Sequence, residues 1–123
     1  MNPWESALIS PTLPLREAIA ALNQGGLQIA VIVDEERRIL GTLTDGDIRR
    51  ALLRQVNLEA PVADVMARQP RIAAADSTKE ALLRLMERHQ LLQVPLIDAQ
   101  RRVVGIETLH GLLHGRRKEN AVF

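Results

Sequence analysis

The chain has 123 residues, 46% of them hydrophobic and 25% charged, which corresponds to one folded, compact domain and excludes a disordered chain. With 16 Lys+Arg against 15 Asp+Glu the net charge is +1, so charge gives no case for nucleic acid or a membrane surface as partner. There is no cysteine, which excludes disulfides, thiolate catalysis and Cys-ligated zinc.

Pro14 suits the first turn of a helix. Leu15, Ala18, Ile19 and Leu22 then share one face, and Gly25-Gly26 ends that helix. Residues 28–33 are apolar and β-branched and run into Asp34, the pattern of a buried strand. After the polar turn 35–38, residues 39–44 complete a hairpin. A helix opens at Asp45, with Ile48, Ala51 and Leu52 on its inner face. Residues 61–66 read as a short helical connector. Ser77-x-x-Glu80 has the spacing of a capping box, in which side chains satisfy the free amides of a helix start. Leu82, Leu85 and Met86 form the apolar seam behind it. Residues 93–97 and 102–106 make a second hairpin, and a short helix starts near Leu109. Pro95 has no amide hydrogen, so it points to an edge strand or to a position that need not donate.

The chain repeats itself. Val33-Asp34-Glu35-Glu36-Arg37-Arg38-Ile39-Leu40-Gly41 returns as Ile97-Asp98-Ala99-Gln100-Arg101-Arg102-Val103-Val104-Gly105, 64 residues later. Glu17-Ala18-Ile19 matches Glu80-Ala81-Leu82 at 63, so the second copy carries one more residue between helix and strand. Strand, helix, hairpin, helix thus occurs twice. A unit of about 50 residues holds little core alone, so the copies are expected to pack face to face and create two equivalent clefts. The boundaries are set at 1–60 and 61–115. Residues 116–123 are read as a linker and the start of a truncated following domain, because Arg116-Arg117-Lys118 is polar and Ala121-Val122-Phe123 is apolar.

Gly41-Thr42-Leu43-Thr44-Asp45-Gly46-Asp47 follows a strand and opens a helix, where free amides favour anions. Thr44 offers a hydroxyl to a phosphate, Gly46 permits close approach, and Asp47 can accept from a pair of sugar hydroxyls. The same Thr44-x-x-Asp47 is also a capping box, and one role does not exclude the other.

The doubled pattern, an apolar strand ending in Asp followed by Gly-x-x-Ser/Thr-x-x-Asp, resembles the CBS domain pair. The resemblance implies an α+β fold of tandem β-α-β-β-α repeats with pseudo-twofold symmetry. It implies a non-catalytic regulatory module that binds an adenine nucleotide (AMP, ADP or ATP) and pairs as a homodimer. It further implies that Thr44 meets a phosphate, Asp47 the ribose hydroxyls, and Arg71, Ile72, Ala73 and Leu91 the adenine. In the second copy Thr108 is retained but Gly111 replaces the ribose Asp, so one competent site is expected. Gln28 and Ile29 stand where nucleotide-binding members place a basic residue, and Arg49, Arg50 or Arg71 are its candidate substitutes. A ligand-free dimerisation module is the alternative.

Residues 27–34 and 44–52 also resemble the regulatory CBS pair at the N-terminus of sugar-phosphate nucleotidylyltransferases. That resemblance implies a C-terminal catalytic domain whose first strand begins at Asn120-Ala121-Val122-Phe123. His110 and His114 share a helical face but have no third ligand, so no metal is expected. His89 reads as a partly buried helix-end residue and Trp4 as a packing residue. The longest apolar runs are of strand length, against about twenty residues for a bilayer span. With no signal peptide at the N-terminus, the expected location is the cytoplasm.

Overall fold

The computed structural model describes residues 3–114; the polar stretch 116–118 and the apolar 121–123 lie outside them. The first repeat comprises β1 (Leu8–Ile9), α1 (Leu15–Gly25), β2 (Ala30–Val33), β3 (Ile39–Leu43) and α2 (Asp45–Leu53). The second comprises β4 (Ala73–Ala74), α3 (Lys79–His89), β5 (Gln93–Ile97), β6 (Val103–Thr108) and α4 (Leu109–Leu113). Each repeat forms its own sheet, ordered β1-β2-β3 and β4-β5-β6, with the middle strand parallel to the first and antiparallel to the third. This is the mixed α+β architecture that the doubled pattern predicts.

Local chemistry sets the element ends. Pro14 precedes α1, and Gly26 closes it in the left-handed region at φ 71°, which glycine enters without a Cβ penalty. Leu15, Ala18 and Leu22 are buried on the expected face. Two sequence expectations shift. Thr78, not Ser77, caps α3: its Oγ1 accepts from the Ala81 amide at 3.1 Å, because the helix starts one residue later than the Ser77 spacing assumes. On α2, Ile48 and Ala51 point inward but Leu52 is 50% exposed. The final turn overhangs the core, as Leu53 at 78% also shows.

Pro95 is not on an edge. It lies in β5, the central strand of its sheet. The β4 ladder begins one residue later, at Leu96, so the missing amide costs that two-residue strand no bond.

Three apolar clusters hold the molecule. One lies inside each repeat, around Leu15, Ile32 and Leu43 and around Leu82, Met86 and Leu112. The third joins the repeats: Val31, Val33, Ile39 and Val103 pack with half-buried Trp4, Ile72 and Ile106. The hairpins also meet directly. Arg38 bridges Arg102, with Ile39 N–H donating to the Arg101 carbonyl (3.0 Å) and Val103 N–H to that of Arg37 (2.9 Å). Positions 64 residues apart therefore face each other across a local twofold axis.

The connecting segments cross over. Residues leading into β4 border the first repeat: Thr42 and Ala67 exchange backbone hydrogen bonds of 3.1 and 2.8 Å. The 3-10 turn Pro3–Ala7 leading into β1 packs on α1 and also against β6 of the second repeat.

Candidate functional site: two clefts at the helix heads

Thr44 leaves β3 in extended conformation, and α2 begins at Asp45. Asp47 folds back on Thr44: its Oδ2 accepts from the Thr44 amide at 2.9 Å and from the Thr44 hydroxyl at 3.1 Å. Its Oδ1 accepts from the Arg50 guanidinium at 2.7 Å. The Asp47 side chain is 12% exposed and that of Arg50 67%, so the carboxylate is sheltered while its cation stands in water. A Cβ on Gly46 would meet that guanidinium at 3.4 Å, an ordinary contact with the end of a flexible side chain. Among the described residues, the arrangement is a helix cap with one carboxylate oxygen held only by a solvated cation.

The second repeat has half of it. Thr108 Oγ1 accepts from the Gly111 amide at 2.9 Å, and Gly111 is buried with no carboxylate to offer. Beside it lies a cavity of about 580 Å3 built from both repeats, bounded by Gly26–Gln28, Leu92, Gln93 and the Thr108–His114 segment.

Hydrogen bonds bring Thr44 and Asp47 together, with Gly46 between them. Arg71, Ile72, Ala73 and Leu91 form a separate group on the β4–β5 side. Ile72 packs in the inter-repeat cluster, while Ala73 and Leu91 pack on the second repeat's core. Ile72 and Ala73 also line a cavity of about 460 Å3 with Ile97 and Asp98. Arg71 is exposed ahead of β4 and near the end of α3. There the His89 imidazole is held below its ordinary value by burial first, then by the Arg71 and Arg88 charges. Among the described residues, no hydrogen bond or ion pair ties one group to the other. Sequence reasoning overlooked Gln93 as a cleft residue; its place at the start of β5, one position past the residue that the 64-residue offset pairs with Gln28, is the signal that could have found it.

Among the described residues no three His, Cys, Asp or Glu side chains gather around a point that could hold a metal. His110 and His114 stand together, ring centroids 4.2 Å apart. No helix among the described residues is long and apolar enough to cross a membrane.

The family model for the CBS domain matches residues 4–54 and again residues 62–115. The chain belongs to the CBS domain family. CBS domains are regulatory and not themselves catalytic. Among curated relatives, the arabinose 5-phosphate isomerase KdsD of Yersinia pestis is 33% identical over 115 residues, covering 89% of this chain and 33% of that protein. The chain thus spans about a third of the length of the curated relatives it matches. The CBS domain pair of protein MJ0100, solved with 5′-methylthioadenosine and S-adenosyl-L-methionine, superimposes with a TM-score of 0.76 at 26% identity, covering 87% of each chain. CBSX2, solved with AMP, gives 0.79 at 19% identity, covering 94% of this chain and 91% of that one. These likenesses establish the tandem CBS fold. They do not show a tie to nucleotidylyltransferases, and the KdsD relatives are isomerases.

Proposed function

We propose that this CBS pair is a regulatory module that binds one adenine nucleotide at the head of α2 and biases an attached catalytic domain. The observation that carries the reading is the Asp47 carboxylate. It is sheltered and anchored through Oδ2 to Thr44, while among the described residues Oδ1 is held only by the exposed Arg50. A ribose diol can take the place of that guanidinium without dismantling the cap. Thr44 then faces a phosphate, and Ile72, Ala73 and Leu91 offer apolar contact for the adenine, with Arg71 beside them. AMP on CBSX2 and S-adenosyl-L-methionine on the MJ0100 pair support an adenosine-type ligand. AMP, ADP or ATP is the expected class. Gly111 removes the matching carboxylate from the second repeat, which supports one such site per chain. Regulation follows only if the ligand prefers one conformation of the module, since equal affinity for both shifts nothing.

The attached domain acts on a sugar phosphate in this reading. The resemblance of residues 27–34 and 44–52 favours a nucleotidylyltransferase; the KdsD relatives favour an aldose–ketose isomerase. Assaying the parent protein for nucleotidyl transfer and for arabinose 5-phosphate isomerisation decides between them. A cytoplasmic homodimer is the expected assembly.

The test is a thermal-shift series with AMP, ADP, ATP and S-adenosylmethionine on the chain and on Asp47→Ala. A ligand at about a hundred times its Kd adds roughly 2.7 kcal/mol, several degrees at this size. A rise confined to the unaltered protein supports the reading. No rise with any ligand leaves a structural dimerisation module, which the Thr44–Asp47 capping box also fits.

A further inference from the structure

One flank of α3 carries positive charge that nothing among the described residues neutralises. Arg84 and Arg88 are exposed on it, four residues apart, a spacing at which like charges repel. Arg71, exposed ahead of β4, is near the same helix end: burial first, then the Arg71 and Arg88 charges, hold the His89 imidazole below its ordinary value. Among the described residues none of the three arginines has an ion pair or a side-chain hydrogen bond, whereas Arg16, Arg37, Arg38, Arg50 and Arg102 each hold a carboxylate. An open groove of about 580 Å3 follows the flank, with half-buried Ala81 and Leu85 beside Arg84, Arg88 and His89, and with Glu87 as its one acidic side chain among the described residues. The fold itself does not ask for these cations. Helices α1 and α3 both have 11 residues and both bury the fourth and eighth, Ala18 and Leu22 in one, Leu82 and Met86 in the other. The sixth and tenth are Ala20 and Gln24 in α1 but Arg84 and Arg88 in α3. The helix dipole favours Arg88 in the last turn, but it gives no reason for Arg84 or Arg71.

We propose that this flank of α3 docks an acidic stretch of the attached catalytic domain, its carboxylates toward Arg84 and Arg88 and an apolar side chain against Leu85. Charge complementarity and the length of chain outside the structure argue for that occupant, since this chain spans only about a third of the KdsD relatives. A nucleic acid fits poorly: α3 has no Phe, Tyr or Trp for bases to stack on, and Glu80 and Glu87 on the same helix repel a phosphate backbone. Exposed charge pairs of this kind set register and choice of partner more than raw affinity, which suits a contact that a regulatory module must make and release. The inference rests on the attached domain proposed above and uses neither Thr44 nor Asp47.

The experiment is zero-length carbodiimide coupling in the full-length parent protein, with the linked peptides read by mass spectrometry. Arg84→Lys and Arg88→Lys place an amine at exposed helical positions that accept lysine as readily as arginine. The expected result is amide links from these positions to Asp or Glu side chains outside residues 1–123, absent from the unaltered protein. Arg54→Lys, exposed at the end of α2 in the other repeat, is the comparison and should link several-fold less. Raising the salt from 0.1 M to 1 M shortens the screening length from about 10 Å to about 3 Å, so the yield at positions 84 and 88 should fall several-fold. Links confined to residues 1–123, a yield indifferent to salt, or equal linking from Arg54→Lys overturns the proposal. A parent protein whose mass leaves no room for a catalytic domain overturns the attached-domain reading and this inference together. A parent that has the domain but forms no such links overturns the docking alone.

Discussion

A Cβ placed on Gly41 would lie 2.6 Å from the carbonyl oxygen of Ala67 and 2.8 Å from the Met66 sulfur. The obstacle is backbone already committed to Thr42, so it cannot swing aside. Gly41→Ala should therefore cost about 1–3 kcal/mol, the range for overpacking. At the matching Gly105 a Cβ meets only Leu96 among the described residues, at an ordinary 3.5 Å. Gly105→Ala should leave stability within about 0.5 kcal/mol of the parent. Urea unfolding of both variants checks the contrast.

The hairpin turns predict an acid limb of stability. Asp34 Oδ1 accepts from the Glu36 and Arg38 amides, and Asp98 Oδ1 from those of Gln100 and Arg102, each at 2.9 Å. Oδ2 in each case takes the arginine Nε, at 3.0 and 2.8 Å. The backbone bond to the arginine is the largest cause holding each carboxyl below its ordinary 3.8. Depressed values stabilise the fold above the unfolded value and lose that contribution as pH falls through the folded one. The stability gap between the parent and Asp98→Ala should accordingly be constant above about pH 5 and close below the ordinary carboxylate value. Denaturant midpoints across that range measure it, and a gap that widens in acid would contradict it.

Thr108 caps α4 through its Oγ1, so Thr108→Ala should cost about 1 kcal/mol and leave AMP binding untouched. Asp47→Ala should show a loss of similar size and abolish AMP binding. Calorimetry of the two variants with AMP separates capping from recognition.

The apolar seams differ sharply in depth. Leu82 is fully buried in the second repeat's core, so Leu82→Ala should cost about 2–5 kcal/mol. Leu52→Ala, at a half-exposed site, should change stability by less than about 1 kcal/mol. A cost at Leu52 equal to that at Leu82 would place α2 deeper in the core than the structure does.

Periodicity made the helices and hairpins legible, because burial on one face imposes its spacing directly: Leu15, Ala18 and Leu22, then Leu82 and Met86. The doubled Asp34 and Asp98 turns marked the repeat for the same reason, since each makes the same local bonds. What the sequence could not reveal depends on other elements. Leu52 keeps helical spacing but is half exposed, near the end of α2. Pro95 is tolerated in a central strand because β4 starts one residue later. The strands β1 and β4, two residues each, are too short to carry a pattern. Of the sites, Thr44–Asp47 was legible because its spacing is local. The second cleft was expected from the repeat, with Thr108 and Gly111 at its helix head, but Gln93 in it was not, because Gln28 and Gln93 meet only through the fold.

The crossed lead-in segments have a consequence for how such a chain can be cut and joined. Ala67 belongs by sequence to the second repeat yet completes the sheet border of the first; the Pro3–Ala7 turn belongs to the first yet rests on β6. Exchanging one repeat for a foreign copy at the Ala60–Pro61 junction would bring the incoming copy's border strip against a β3 it never evolved beside. A transplant that keeps the native strip, by joining after Ala67, should be better tolerated. The piece that repeats and the piece that folds begin at different residues.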